Sequence, residues 1–130
     1  MKFGYTIIYV ADVAATVVFY ETAFGLTRRF IHESGQYAEM ETGATALAFA
    51  ANEMAKHHGF RIRTNSQGDL PAGFEVCLVS ATPGKAYDRA VAAGAVAVKP
   101  VSTMPWGQEV GYVRDLNGCL VELCSPMSAA

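Results

Sequence analysis

The chain has 130 residues, ten basic and twelve acidic, for a net charge of −2, with 52% apolar and 17% charged side chains. So large an apolar share offsets chain entropy and excludes a disordered chain, and charges scattered without a basic block exclude a surface for nucleic acid. The longest apolar stretch near the start, Ile7 to Tyr20, is broken by Asp12 and too short to cross a bilayer, and no basic segment or cleavage site precedes it; a soluble, cytoplasmic protein with no membrane partner is expected.

In chain order, Phe3 to Val10 reads as a strand of apolar and aromatic residues. Asp12 is placed to cap a helix over Val13 to Phe24, which Gly25 stops. Strands follow at about Thr27 to His32, Gln36 to Glu41 and Ala44 to Ala50, the middle turns being Ser34-Gly35 and Thr42-Gly43. The stretch Ala51 to Gly73 has no clear periodicity and reads as a crossover loop; it holds His57, His58, Arg61 and Arg63, and a solvated connector and a functional loop both fit it. A second series then begins with a strand at Phe74 to Val79. Thr82 caps a helix over Pro83 to Ala93 with Pro83 at its first position, Gly94 stops it, and strands follow at Ala95 to Pro100, Gln108 to Val113 and Cys119 to Cys124.

The two series are one module written twice. Gly4 falls on Gly73, Val10 on Val79, Asp12 on Ala81 and Gly25 on Gly94, all 69 positions on, and a longer turn at Arg114 to Gly118 brings Leu47 onto Glu122, 75 positions on. A single α+β domain is expected, with module 1 at about 1–50, the loop at 51–73 and module 2 at about 74–126. Its two βαβββ modules would form a cupped, mostly antiparallel mixed sheet with the helices outside.

With YVADVAATVVFYETAFGL near the start and PWGQEVGYVRDLNGCLVEL near the end, the repeated module resembles the vicinal oxygen chelate superfamily, which includes glyoxalases, bleomycin-resistance proteins and extradiol dioxygenases. The resemblance implies a cup for a small organic molecule. In metal-using members, histidines and a glutamate on the first and last strand of each module hold a divalent ion. Those places carry over to Tyr5, Leu47, Phe74 and Glu122, of which only Glu122 is an ordinary metal ligand, so no cofactor and no divalent metal are expected there.

What remains describes an aromatic cup, with Tyr5, Leu47, Phe49, Phe74, Trp106, Tyr112 and Tyr37 as walls and Glu122 as its polar point. The leading expectation is a small-molecule-binding protein of the glyoxalase and bleomycin-resistance kind. A lyase or isomerase with Glu122 as catalytic acid or base, and a structural domain whose cup is filled, are the alternatives. Glu122 must find a donor or shift its pKa upward, its candidate partners being Arg114, one of Arg28, Arg29, Arg61 and Arg63, or the Tyr5 phenol. Cys77, Cys119 and Cys124 form no CxxC pair and read as small buried hydrophobes, and His57-His58 lacks the spacing of a chelate. Exposed sheet edges and the high apolar share point to a symmetric homodimer.

Overall fold

A computed structural model of the chain describes residues 1–127. Its first strand, β1 (Tyr5–Val10), runs into helix α1 (Val13–Phe24). Asp12 Oδ1 accepts the Ala15 amide at 2.9 Å, and Gly25 takes the left-handed conformation at φ 68°, so both ends of the helix close as the residue types require. Strands β2 (Arg28–Ile31), β3 (Tyr37–Met40) and β4 (Ala46–Ala51) follow. The stretch expected to be irregular opens with one short helix, α2 (Glu53–His57). The second series is β5 (Glu75–Val79), α3 (Pro83–Ala92), β6 (Val96–Thr103), β7 (Glu109–Arg114) and β8 (Leu120–Cys124). Pro83 stands at the start of α3 as expected, but the Thr82 side chain makes no cap bond; instead Ser80 Oγ accepts the Thr82 amide at 3.0 Å.

The fold is α+β and duplicated. Two compact units divide the chain, one from Met1 to Asn65 and one from Ser66 onward, each carrying a four-stranded mixed sheet. In the first the order is β1-β4-β3-β2, with β1 parallel to β4 and the other pairs antiparallel; in the second it is β5-β8-β7-β6, with β5 parallel to β8.

Side chains alternate across a strand, so each sheet has one face toward its helix and one away from it. In the first unit Ile8, Val10, Leu47 and Phe49 lie on the α1 side, and Phe49 meets the Tyr20 ring of α1 at 4.8 Å between centroids. Tyr5, Ile7 and Tyr9, with Ala46, Ala48 and Ala50 beside them, occupy the opposite face, where Tyr5 is 58% exposed. In the second unit Val113, Val121 and Leu123 form the buried side, while Glu75, Cys77, Glu122 and Tyr112 line the face away from it.

Ladder register overturns the sequence alignment of the two modules. Tyr5 pairs with Ala46 and Ile7 with Ala48; Glu75 pairs with Leu120 and Cys77 with Glu122. The N-cap positions, Asp12 and Thr82, lie 70 apart rather than 69. Tyr5 therefore corresponds to Glu75, not to Phe74, and Glu122 corresponds to Ala48, not to Leu47. A slip of one residue carries every side chain to the other face, which is why the error reaches the site.

Candidate functional site

On the face of the second sheet away from its helix, neighbouring strands β5, β8 and β7 bring Cys77, Glu122 and Tyr112 into one row across the ladder. The Tyr112 hydroxyl donates to Glu122 Oε1 at 3.1 Å, and the Cys77 thiol donates to Oε2 at 3.2 Å. Cys124, two residues along β8, places its Sγ 3.4 Å from that of Cys77. Glu75, two residues before Cys77 on the same face of β5, stands close enough to Glu122 for the two carboxyls to act on each other.

Burial alone would raise the Glu122 pKa, but hydrogen bonds from Cys77, Cys124, Tyr112 and Glu75 together outweigh it and hold the carboxyl below its ordinary value. Its neighbours move the other way. Desolvation first, and then the charge of Glu122, raise Glu75. Tyr112 is pushed up to about 12, chiefly by desolvation and then by its bond to Glu122, and both thiols are raised for the same leading reason. The cluster thus holds one stabilised negative charge beside a phenol and two thiols that keep their protons near neutral pH.

The sequence-based partners of Glu122 are corrected. Arg114 does not reach it: the guanidinium donates to the carbonyls of Gly118, Gln67, Ser66 and Asp69, tying the β7–β8 turn to the start of the second unit. Arg28 and Arg29 are bound to Glu21, and to Glu39 and Glu41. The phenol on Glu122 belongs to Tyr112, not Tyr5. Nor are all three cysteines buried, since Cys77 is exposed.

In the first unit the face away from α1 is aromatic. Tyr37 shares that face with Tyr5, and its ring meets Phe30 at 6.0 Å between centroids. The Tyr37 hydroxyl donates to Glu39 Oε2 at 2.8 Å, while Arg29 donates to Glu39 Oε1 at 3.1 Å. Glu39 is nearly buried and fixed from both sides. Beside Tyr37 a cavity of about 580 Å³ opens between the β2–β3 hairpin and α2, with His32, Ser34, Gln36, Glu53, Met54 and His57 on its walls.

Of the residues expected as walls, Tyr5 and Tyr37 lie on the face of the first sheet away from α1, and Tyr112 lies against Glu122. Leu47 and Phe49 instead face α1, and Phe74 precedes β5 in a turn closed by its amide bond to the Ala72 carbonyl. Trp106 stands exposed in the β6–β7 turn, its indole N–H donating to Gln108 Oε1 at 2.9 Å. Sequence reasoning missed Glu39, Glu75, Cys77 and Cys124. Counting back the same distance from the two helix caps pairs Glu75 with Tyr5.

A family model for the glyoxalase/bleomycin resistance protein/dioxygenase superfamily matches residues 2–123, and the chain belongs to that superfamily. No curated protein matches it. Among solved structures, a glyoxalase-related enzyme from Fulvimarina pelagi is 20% identical with a TM-score of 0.80, over 97% of this chain and 88% of that one. A glyoxalase/bleomycin resistance protein/dioxygenase from Nocardioides is 22% identical with a TM-score of 0.72, over 100% and 86%. TioX from Micromonospora sp. ML1 is 20% identical with a TM-score of 0.72, over 96% and 98%. At such identities the likeness is one of fold.

The ligand set of the metal-using members does not fit this chain. After the register is corrected, the four places hold Tyr5 and Ala48 in the first unit and Glu75 and Glu122 in the second, so two carboxylates stand there rather than one, beside a phenol and a methyl group that are not ordinary metal ligands. No step is routed through a metal at those positions.

Proposed function

We propose that the protein binds a small organic molecule at the Tyr37 end of its first sheet, without the divalent metal of its metal-using relatives. The observation that carries this reading is the cavity beside Tyr37. Its volume of about 580 Å³ lies within the roughly 300–1,000 Å³ of small-molecule sites, and its walls pair aromatic and aliphatic surface with a few directed polar groups. Tyr37 offers a ring face, with its hydroxyl already committed to Glu39. The His32 ring is held by a 2.8 Å contact between Nδ1 and Ser34 Oγ, and Glu53 and His57 approach from α2. A ligand with a flat apolar body and a hydrogen-bonding edge suits such walls.

Thermal-shift screening of small aromatic compounds, with and without EDTA, tests the reading. A binder at about 100 times its Kd stabilises the folded chain by roughly 2.7 kcal/mol. The expected hit keeps that effect in EDTA and loses it in Tyr37→Ala and in Met54→Trp, which fills the cavity. A hit indifferent to both substitutions would place the ligand elsewhere and end the proposal. A symmetric homodimer belongs to the same proposal, supported by apolar side chains left exposed at Phe3, Tyr5, Ile7 and Val79. Sedimentation should then report twice the 13.9 kDa chain mass.

A further inference from the structure

We propose that Cys77, Cys124 and Glu122 form a three-ligand site for a thiophilic divalent cation, zinc first among them. The site lies wholly within the second sheet and shares only Glu122 with the positions considered above; it does not rest on ligand binding at Tyr37.

Geometry carries the proposal. A tetrahedral ion with bonds of about 2.3 Å to sulfur and about 2.0 Å to oxygen sets two sulfurs about 3.8 Å apart and each sulfur about 3.5 Å from the oxygen. Here the two Sγ atoms are 3.4 Å apart and Cys77 Sγ is 3.2 Å from Glu122 Oε2, so an entering ion needs the donors to part by only a few tenths of an ångström. One ligand atom from each of the three residues lies within 4.8 Å of the others. The arrangement follows from sheet geometry: Cys77 is the ladder partner of Glu122, and Cys124 lies two residues further along the same face of β8.

The donors also select the ion. Two thiolates favour zinc over magnesium or calcium, which prefer all-oxygen shells. Tyr112, hydrogen-bonded to the other Glu122 oxygen, orients the carboxylate as an outer-shell partner does. Three protein ligands leave a fourth position for water, on a face where Cys77 and Glu75 are exposed and an ion can enter. Binding converts both thiols to thiolates, and the two protons leave to the buffer.

The test uses the full chain, kept reduced with a phosphine, stripped with EDTA and titrated with cobalt(II). A 1:1 complex should appear with thiolate-to-cobalt charge-transfer absorption and the visible bands of tetrahedral cobalt, and zinc should displace it. About two protons should be released per ion. Cys77→Ser, at an exposed position, and Cys124→Ser should each abolish the charge-transfer band at stoichiometric cobalt, whereas Cys119→Ala should leave it unchanged. Tyr112→Phe should weaken zinc binding by roughly 10–100-fold, the cost of losing an outer-shell partner. Absence of the band in the reduced wild-type chain would overturn the proposal, and so would a band that survives Cys77→Ser. Because the readout is the absorption of cobalt itself, failure here leaves the Tyr37 cavity untouched, and failure of a ligand screen leaves this site untouched.

Discussion

Replacing Phe49 by Ala separates the two faces of the first sheet, because the alignment-based view makes Phe49 a ligand wall and the structure makes it core. Its ring has no exposed surface and lies between Ile8 on β1, Ala38 on β3 and the Tyr20 ring of α1. A fully buried aromatic side chain removes about 150–250 Å² from water. At about 25 cal/mol per Å² that is worth roughly 4–6 kcal/mol, of which alanine keeps a small part. The tilted contact with Tyr20 adds roughly 0.5–1.5 kcal/mol. Phe49→Ala should therefore cost about 3–5 kcal/mol, as expected when a buried aromatic leaves a cavity that cannot fully collapse. The matching control is Tyr5→Ala on the other face, where more than half of the side chain is exposed and the cost should stay within about 0.5 kcal/mol. Urea unfolding followed by far-ultraviolet circular dichroism measures both. A loss below about 1 kcal/mol for Phe49→Ala, or equal losses for the two variants, would show that the assignment of faces is wrong, and with it the corrected register.

Three further outcomes follow from local geometry. Gly118 sits at φ +84°, and a Cβ there would stand 2.5 Å from the Ser66 carbonyl oxygen and 2.7 Å from Arg114 Nη2, so Gly118→Ala should destabilise by at least about 1–3 kcal/mol in the same denaturation assay. Asp115, fully buried, accepts the amides of Asn117 at 2.8 Å and Cys119 at 2.9 Å; Asp115→Ala strands both donors at about 1–3 kcal/mol each, and hydrogen exchange at the two amides should accelerate. Hydrogen bonds from Arg28 and Arg29 hold the half-buried Glu21 and the exposed Glu41 carboxyls below their ordinary value of 4.5. A carboxyl depressed in the folded state lends stability that is present above its unfolded pKa and is lost as the pH falls through the folded one. Acidification below about pH 4.5 should thus destabilise wild type more than an Arg28→Gln, Arg29→Gln double variant, with the difference shrinking in high salt.

Nearly every element was legible in the sequence because its signals are local. Asp12 and Gly25 bound α1 at the residues expected, Pro83 begins α3, and alternating or continuous apolar runs between glycine-containing turns give all eight strands to within a few residues. Only α2 was missed, a single turn and a half inside a segment with no periodicity of its own. The site was less legible because it depends on parity. Gly4 with Gly73, and Gly25 with Gly94, suggested a constant shift, yet α3 reaches its closing glycine one residue sooner after its cap than α1 does, and the compensating residue falls before β5. That residue decides whether Phe74 or Glu75 stands opposite Tyr5. The same parity error, one residue in β4, moved Leu47 and Phe49 from beneath α1 onto the aromatic face.

Once parity is corrected, duplication and chemistry come apart in an instructive way. Helix, ladder order and the mixture of parallel and antiparallel pairs repeat, because they are fixed by caps, turns and the apolar side of each sheet. The opposite faces do not. In the first unit small Ala46, Ala48 and Ala50 leave a flat floor beside Tyr5, Ile7 and Tyr9; in the second, Leu120, Glu122 and Cys124 stand at the corresponding rungs beside Glu75, Cys77 and Val79. Residues on this face carry little of the packing that defines the module, so each copy could exchange them without disturbing its core. The scaffold is therefore evidence for the superfamily alone, whereas the chemistry of the second unit rests on the donor row on β5, β8 and β7. That distinction is why cobalt absorption and cysteine substitution bear on its chemistry more directly than any further likeness of fold.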